Sequence, residues 1–224
     1  MRKASRTTVA AKIAMALSGL FFVFFVLFHM YGNLKMFAGQ ESYDGYAHHL
    51  REMFMPILPY GGLLWILRVL LLAALLVHAG SAFHLWSKAR RARGQDYVKR
   101  RTLATSYAVR TMRWGGVIIA VFVVFHLLQF TTLHIQVGGD YDAMTPYERM
   151  VAAFGNPLLL AFYALAVGLL AMHVWHGCWS AFATLGGSTQ SSQRNLKLLS
   201  ALIAAALFVG FMLPPFAIFL GFVK

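Results

Sequence analysis

Long apolar stretches alternate with shorter polar segments along this chain. A membrane-spanning helix needs about 20 apolar residues at a rise of 1.5 Å each, and five stretches reach that length. The pattern predicts an all-α membrane protein in which residues 1–224 form a single domain. The five predicted spans are 11–34, 61–86, 114–137, 156–182 and 196–222.

The polar segment after the first span has a helical pattern of its own. Apolar side chains recur every three to four residues over 43–54, which is typical of an amphipathic helix on a membrane surface. Pro56 and Pro59 follow and should end this helix. Pro214 and Pro215 fall inside the last span, where two missing backbone donors should break or bend the helix.

Composition agrees with a membrane location. The chain is 59% hydrophobic and only 12% charged, which is far from the balance of a soluble domain. Its 20 Lys and Arg outnumber its 7 Asp and Glu. Such an excess can indicate binding to nucleic acid, contact with anionic lipid or the orientation of the spans in the membrane. Because the basic residues cluster between apolar spans, we assign them to topology and membrane lipid and expect no nucleic-acid partner.

The connecting segments alternate in charge. Residues 1–12, 87–113 and 187–197 are basic, whereas 35–60 and 138–155 hold most of the acidic residues. By the positive-inside rule the N-terminus is cytoplasmic, and an odd number of spans puts the C-terminus outside. The first apolar run is too long for a signal peptide and no small-residue cleavage site follows it, so we interpret it as a mature helix.

Four histidines lie inside four different spans, where a polar ring is costly unless it is bound or hydrogen-bonded. Counted along the spans, His29 falls in the outer half, and His126 lies about 18 Å from the inner surface. His78 and His173 each lie about 25 Å down spans that run inwards. Depth therefore pairs His29 with His126 and His78 with His173.

Two facing imidazoles are the ligands of a bis-histidine haem. Haem iron takes axial ligands on opposite faces of a flat ring, and two helices of a bundle can supply one each. A single such histidine is more often hydrogen-bonded within a helix interface, but four at matched depths favour two b haems enclosed by the bundle. Zinc fits less well, because no Asp, Glu or Cys accompanies either pair at a ligand-like spacing. The single cysteine, Cys178, also excludes an internal disulfide and a four-cysteine iron–sulfur site.

The other histidines are weaker candidates, since an interfacial polar side chain accounts for them as well. His176 follows His173 by three residues on nearly the same helix face, so it competes for the ligand role or neighbours the haem. His84 follows His78 by six residues and lies near the basic inner surface. The remaining three lie near the outer surface: His48, His49 and His134.

Further polar residues lie at the depths of the two pairs. Arg68 is about seven residues into the second span, where an unpaired guanidinium is costly. We expect it to face a haem propionate, a quinone carbonyl or a polar outer cavity, the alternative being snorkelling to the outer surface. On the inner side, Arg113 and His84 are candidates to bind haem propionates. The candidate quinone-binding residues at the outer level are Asn33, His48, Arg51 and Arg68.

Four short motifs surround the intramembrane histidines. They are HMYGNLKMFAG at His29, VHAG at His78, FHLLQF at His126 and HVWHGCW at His173. Together they resemble the single-chain cytochrome b subunit of succinate:menaquinone oxidoreductases and of the related fumarate reductases. The resemblance extends from about Leu17 through the fifth span. The four motifs together make it specific, whereas no single motif does.

The resemblance implies five helices that bind two b haems, with one ligand from each of the first four. It favours His173 over His176 and His78 over His84. It also implies a multi-pass subunit of a bacterial inner membrane, with a flavoprotein and an iron–sulfur protein docked on its cytoplasmic face. Electrons from succinate would pass through the inner and then the outer haem to menaquinone, so the subunit is not catalytic alone.

Three alternatives to this function remain open. A fumarate reductase subunit would carry electrons in the opposite direction, and a haem-free membrane anchor would keep only the fold. A small transporter is less favoured, because such proteins usually contain inverted repeats and no repeat is found here.

Some family members place a glutamate two residues before the fourth ligand, where it is thought to return protons across the membrane. This chain has Ala171 there, which favours succinate oxidation.

Overall fold

The computed structural model of the protein describes residues 3–92 and 104–224. Within those ranges the chain is helical and contains no strand, with a 3₁₀ helix at Lys35–Ala38. Five of the α-helices are long and apolar enough to cross a membrane. The predicted all-α class and number of spans are therefore confirmed, and the fold is that of a multi-pass membrane protein. The α-helices are α1 (Lys3–Leu34), α2 (Gln40–Glu52), α3 (Gly62–Arg91), α4 (Ala104–Phe130), α5 (Pro146–Phe154), α6 (Pro157–Thr184) and α7 (Gln193–Phe219). The candidate spans are α1, α3, α4, α6 and α7.

The predicted third span, 114–137, is wrong at its C-terminal end. α4 ends at Phe130, because the amides of Thr131 and Thr132 both turn back to the carbonyl of Leu127. Leu133 then has a positive φ of 59°, so the apolar residues beyond it belong to a loop. Helices also extend past the apolar stretches at the opposite end of the bundle, where α3 continues to Arg91. The predicted basic connection 87–113 lies partly outside the described residues.

The amphipathic helix predicted after the first span is present as α2. It ends at Glu52, earlier than the two prolines that were expected to end it. α5 is a second short helix that the apolar pattern does not predict. The Thr145 hydroxyl accepts from the Glu148 amide, the Glu148 carboxylate accepts from the Thr145 amide, and Pro146 follows the cap. This capping box with proline in the first turn is a strong helix start.

The two prolines of the last span do not break α7, which runs through both of them. Pro214 and Pro215 are buried, and contacts with neighbouring helices support the helix where two backbone donors are missing. One turn earlier, Gly210 contacts the side chain of Met30 so closely that a Cβ would overlap it. α1 and α7 therefore approach each other closely just before the prolines.

α1 and α6 hold the bundle together. α1 packs against α3, α6 and α7, while α6 packs against α4, α7 and α1. α2 and α5 pack on each other at one end of the bundle, here called the α2/α5 end. The opposite end, here called the basic end, contains the last turn of α3 with Lys88 and Arg91. The larger buried cluster lies at the α2/α5 end and includes Tyr141, Phe154 and Tyr163. α3, by contrast, contributes no buried residue.

Candidate functional site

The rings of His29 and His126 face each other between α1 and α4. Their centroids are 5.8 Å apart, and the ring planes are nearly perpendicular at 82°. Five aromatic rings pack on the pair: Phe25 and Phe211 lie against His29, and Phe122, Phe130 and Tyr163 lie against His126. The structure thus brings together the two histidines that depth had paired, in an aromatic environment.

The rings of His78 and His173 face each other between α3 and α6, nearer the basic end. Their centroids are 6.2 Å apart with an angle of 63° between the planes. Glycines from two other helices lie beside the rings. A Cβ on Gly19 would be 3.2 Å from Cε1 of His78, and one on Gly116 would be 3.5 Å from Cε1 of His173. Missing side chains on α1 and α4 therefore make room for this pair.

Both separations match two imidazoles bound to opposite sides of one metal ion. An imidazole nitrogen binds a metal at about 2 Å, and the ring centroid lies about 1 Å behind that nitrogen, so two such rings have centroids about 6 Å apart. In the described part of the chain, α1 with α4 and α3 with α6 are not among the closely packed helix pairs. Each pair of opposed rings therefore lies between two helices that are not closely packed on each other, and each pair fits the ligand set of a bis-histidine haem.

A chain of buried hydrogen bonds supports His126. Its Nδ1 lies 3.2 Å from the hydroxyl of Tyr163, and that hydroxyl donates to Oε1 of Gln129 at 2.8 Å. The Gln129 amide nitrogen donates to the hydroxyl of Tyr141, which donates to the carbonyl of Val137. Gln129 and Tyr141 are both 0% exposed. These residues were missed in the sequence, although an amide in an apolar run three residues after His126 was a signal.

The second pair has different partners for its Nδ1 atoms. Nδ1 of His78 lies 3.1 Å from the carbonyl of Met15 and 3.3 Å from the hydroxyl of Ser18. Because a carbonyl only accepts, this contact requires the hydrogen on Nδ1 and leaves Nε2 of His78 available as a metal ligand. Nδ1 of His173 is buried and has no hydrogen-bond partner among the described residues.

His176 lies one turn from His173 on α6, and no ring contact pairs it with a histidine of another helix within the described ranges. Its ring packs edge-on against Trp179 at 5.4 Å between centroids, and the residue is half-buried. Arg113 lies at the basic end, with its guanidinium carbon 5.5 Å from the centroid of Trp86. Arg113 is three residues from Gly116 on α4, so it stands about one turn from the His78/His173 pair.

His84 is exposed near the basic end of α3. It lines an open cavity of about 480 Å³ whose other lining residues include Ser87, Lys88 and Arg91. This cavity combines two positive side chains with a hydroxyl and an imidazole. It suits an anionic group that approaches the basic end of the bundle.

The candidate quinone-binding residues do not converge on one point. Asn33 donates to the carbonyl of His29, and Arg51 donates to that of Ala47, so both bind their own helices. His48 is exposed on α2 and lies 3.3 Å from the carboxylate of Glu52. Arg68 contacts Trp65 of its own helix.

Arg68 is exposed on α3. Its guanidinium carbon lies 4.9 Å from the ring centroid of Trp65, which is three residues nearer the α2/α5 end. This cation–π contact partly satisfies the charge. An Arg stacked on a Trp toward the helix end is also the geometry expected of a snorkelling side chain.

Comparison with known protein families, curated proteins and solved structures finds no match for the chain. A functional proposal therefore depends on two features of the molecule itself. One is the spacing of the histidine pairs, and the other is the set of four motifs around them. The first is a property of the fold and the second of the sequence, so they support the proposal separately.

Proposed function

We propose that this protein is the membrane-anchoring cytochrome b subunit of a bacterial succinate dehydrogenase. It would pass electrons from an iron–sulfur subunit through two b haems to menaquinone in the inner membrane. The observation that carries the proposal is the presence of two opposed imidazole pairs, with centroids 5.8 Å and 6.2 Å apart, on four different spans. The four histidines would hold two haems, and a bound haem would supply one-electron transfer.

Each histidine pair has a distinct role in this proposal. With the N-terminus in the cytoplasm, His78 and His173 hold the inner haem, and His29 and His126 hold the outer one. Arg113 is one turn from Gly116 and so lies beside the inner pair. Arg113 and His84 would bind haem propionates. Their positive or hydrogen-bonding side chains would offset the negative charge of carboxylates near the membrane surface.

The basic end supports docking of soluble partners. Lys88, Arg90 and Arg91 lie in the last turn of α3, and further basic residues follow in the sequence. Such a surface attracts anionic lipid head groups and the acidic face of a partner protein. We assign it to contact with the iron–sulfur subunit, which would in turn carry the flavoprotein subunit.

Menaquinone is assigned to the α2/α5 end, beside the outer pair. Arg68 supports this because it is an exposed donor on a membrane-spanning helix at that end, and Arg51, His48 and Asn33 belong to the same level. A lipid-soluble quinone reaches such residues from the membrane side. Arg68 with Trp65 offers a positive group and an aromatic face to an approaching quinone ring.

Haem content tests the proposal directly. Purified protein should give a dithionite-reduced spectrum of b haem, with two haems per chain by pyridine haemochrome analysis. His78→Ala or His173→Ala should each remove the inner haem and leave one, and His29→Ala or His126→Ala should remove the outer haem. His176→Ala is the matched control, because it removes an imidazole from the same helix and should retain both haems.

Two outcomes would overturn this assignment. Fewer than two haems in the intact wild-type chain would exclude the dihaem function. Loss of haem from His176→Ala, with retention in His173→Ala, would leave the cofactor but show that the ligand on α6 is wrong.

A further inference from the structure

The hydrogen bonds next to His126 have a single consistent direction. A tyrosine hydroxyl has one hydrogen, and that of Tyr163 is donated to Oε1 of Gln129. The same hydroxyl can therefore only accept from Nδ1 of His126. The hydrogen of His126 must then be on Nδ1, and Nε2 is left with its lone pair for a metal.

Buried neighbours keep this direction fixed. Gln129 uses its oxygen for Tyr163 and its nitrogen for Tyr141, and the Tyr141 hydroxyl donates onward to the Val137 carbonyl. The Val137 carbonyl can only accept, so it sets the direction of the Tyr141 bond and, through Gln129, that of the Tyr163 bond. Tyr163 also packs at 5.0 Å from the rings of Phe122 and Phe154. The hydroxyl therefore has little freedom to turn away from His126.

His126 and His78 differ in the kind of group that contacts Nδ1. The Nδ1 of His78 faces a backbone carbonyl as well as the Ser18 hydroxyl, and no side-chain replacement removes a carbonyl. The Nδ1 of His173 has no partner among the described residues. The hydroxyl of Tyr163 is consequently a side-chain contact that can be removed from one histidine pair without altering the other.

We propose that Tyr163, held by Gln129 and Tyr141, is a positioning residue that fixes the tautomer and orientation of His126 and sets the reduction potential of the outer haem. This inference rests on the proposed function, since it concerns the haem that His29 and His126 would hold. An acceptor on the Nδ1 hydrogen makes the imidazole a stronger donor to iron. A stronger donor stabilises the ferric state and so lowers the potential.

The test is a redox titration of Tyr163→Phe, which removes the hydroxyl and keeps the ring. We expect two haems per chain, a higher midpoint potential for the outer haem and an unchanged potential for the inner haem. Tyr147→Phe is the matched control, because it deletes a buried tyrosine hydroxyl at the same end, where the partner is the carbonyl of Lys224. Its two potentials should equal those of the wild type.

A second variant keeps the test decisive if Tyr163→Phe fails to incorporate haem. Gln129→Leu leaves the Tyr163 hydroxyl in place but removes the acceptor that directs it, so the outer potential should rise by less than in Tyr163→Phe. Two haems with wild-type potentials in Tyr163→Phe, or in Gln129→Leu when the first variant lacks haem, would overturn this inference and leave the proposed function intact. A wild-type chain without haem would overturn both.

Discussion

Gly19 controls how closely α1 approaches the ring of His78. A Cβ at this position would lie 3.2 Å from Cε1 of His78, which is tight contact even for alanine. Ser18, the preceding residue, contacts Nδ1 of the same ring. α1 therefore supports His78 through a hydrogen bond and through the absence of a side chain at Gly19.

We predict that Gly19→Val displaces the His78 ring and reduces haem content from two per chain to one. Overpacking of this kind costs about 1–3 kcal/mol in a packed site, and here the displaced atoms are those of a proposed ligand. The matched control is Gly80→Val on α3, where an added Cβ meets nothing within 4 Å. Haemochrome analysis checks both variants, and two haems in Gly19→Val would show that the ring adapts.

At the scale of single residues, depth along the spans was sufficient to place His29 with His126 and His78 with His173, because helical rise converts position into depth. The partners of these rings were not predictable in the same way. Tyr163 reaches His126 only because of how α6 is rotated against α4, and the apolar pattern of α6 does not specify that rotation.

At the scale of elements, α2 and α5 are joined by a charged cap. The carboxylate of Asp44 on α2 accepts from the amide of Tyr147 in the first turn of α5 at 2.9 Å. The rings of Tyr43 and Tyr147 pack beside it at 6.1 Å. A negative charge at a helix N-terminus is favourable, so Asp44 both caps α5 and attaches α2 to it. Burial, together with the charge of Asp44, raises the pKa of Tyr43 to about 12.

We predict that Asp44→Ala loosens the first turn of α5. Loss of the cap leaves the Tyr147 amide without its acceptor and should cost about 1–2 kcal/mol, which corresponds to roughly 5- to 30-fold faster amide exchange in that turn. Hydrogen exchange read by mass spectrometry measures the change. Glu41→Ala removes the same charge from an exposed position of α2 and should leave exchange in α5 unaltered. Equal exchange in both variants would contradict the capping role.

The spans themselves were predictable because length and apolar content define them, and the start of the fourth agrees with α6, whose cap is Asn156. Short elements were harder to predict from the sequence. α5 has nine residues, too few for an apolar period to stand out, and only the Thr-Pro-Tyr-Glu start at 145–148 marked it. The end of α4 was misplaced because the apolar residues after Leu133 continue the pattern of the span into a loop.

At the scale of the whole molecule, the two histidine pairs lie at different distances from the α2/α5 end, and the spans contain no acidic residue. Under the proposed function, two electrons per turnover cross from the cytoplasmic side to a quinone site near the outer surface, where protons are taken up. A potential that is negative inside assists this movement by roughly 4.6 kcal/mol per 100 mV for two charges.

We therefore predict that succinate:menaquinone activity in sealed vesicles or cells falls when an uncoupler collapses the membrane potential. Under the proposed function, Ala171 occupies the position at which some members of the resembled family have a glutamate thought to return protons, so no carboxylate there would cancel the charge movement. Succinate oxidation by a soluble dye, which bypasses the membrane, is the control and should not change. Equal quinone activity with and without uncoupler would point to an inner quinone site or to another proton path.

The close packing of α7 has a consequence for how such a protein is made. α7 carries none of the four histidines, yet its Phe211 packs on the ring of His29 at 5.8 Å, and its buried Leu207 packs in a cluster with Val174 of α6. α7 follows all four histidine-bearing helices in the sequence, so it is synthesised after them. Until α7 has entered the membrane, the His29 ring has Phe25 of its own helix beside it but lacks Phe211. Loading of a cofactor at the outer pair should thus follow synthesis of the last span rather than accompany synthesis of the first four.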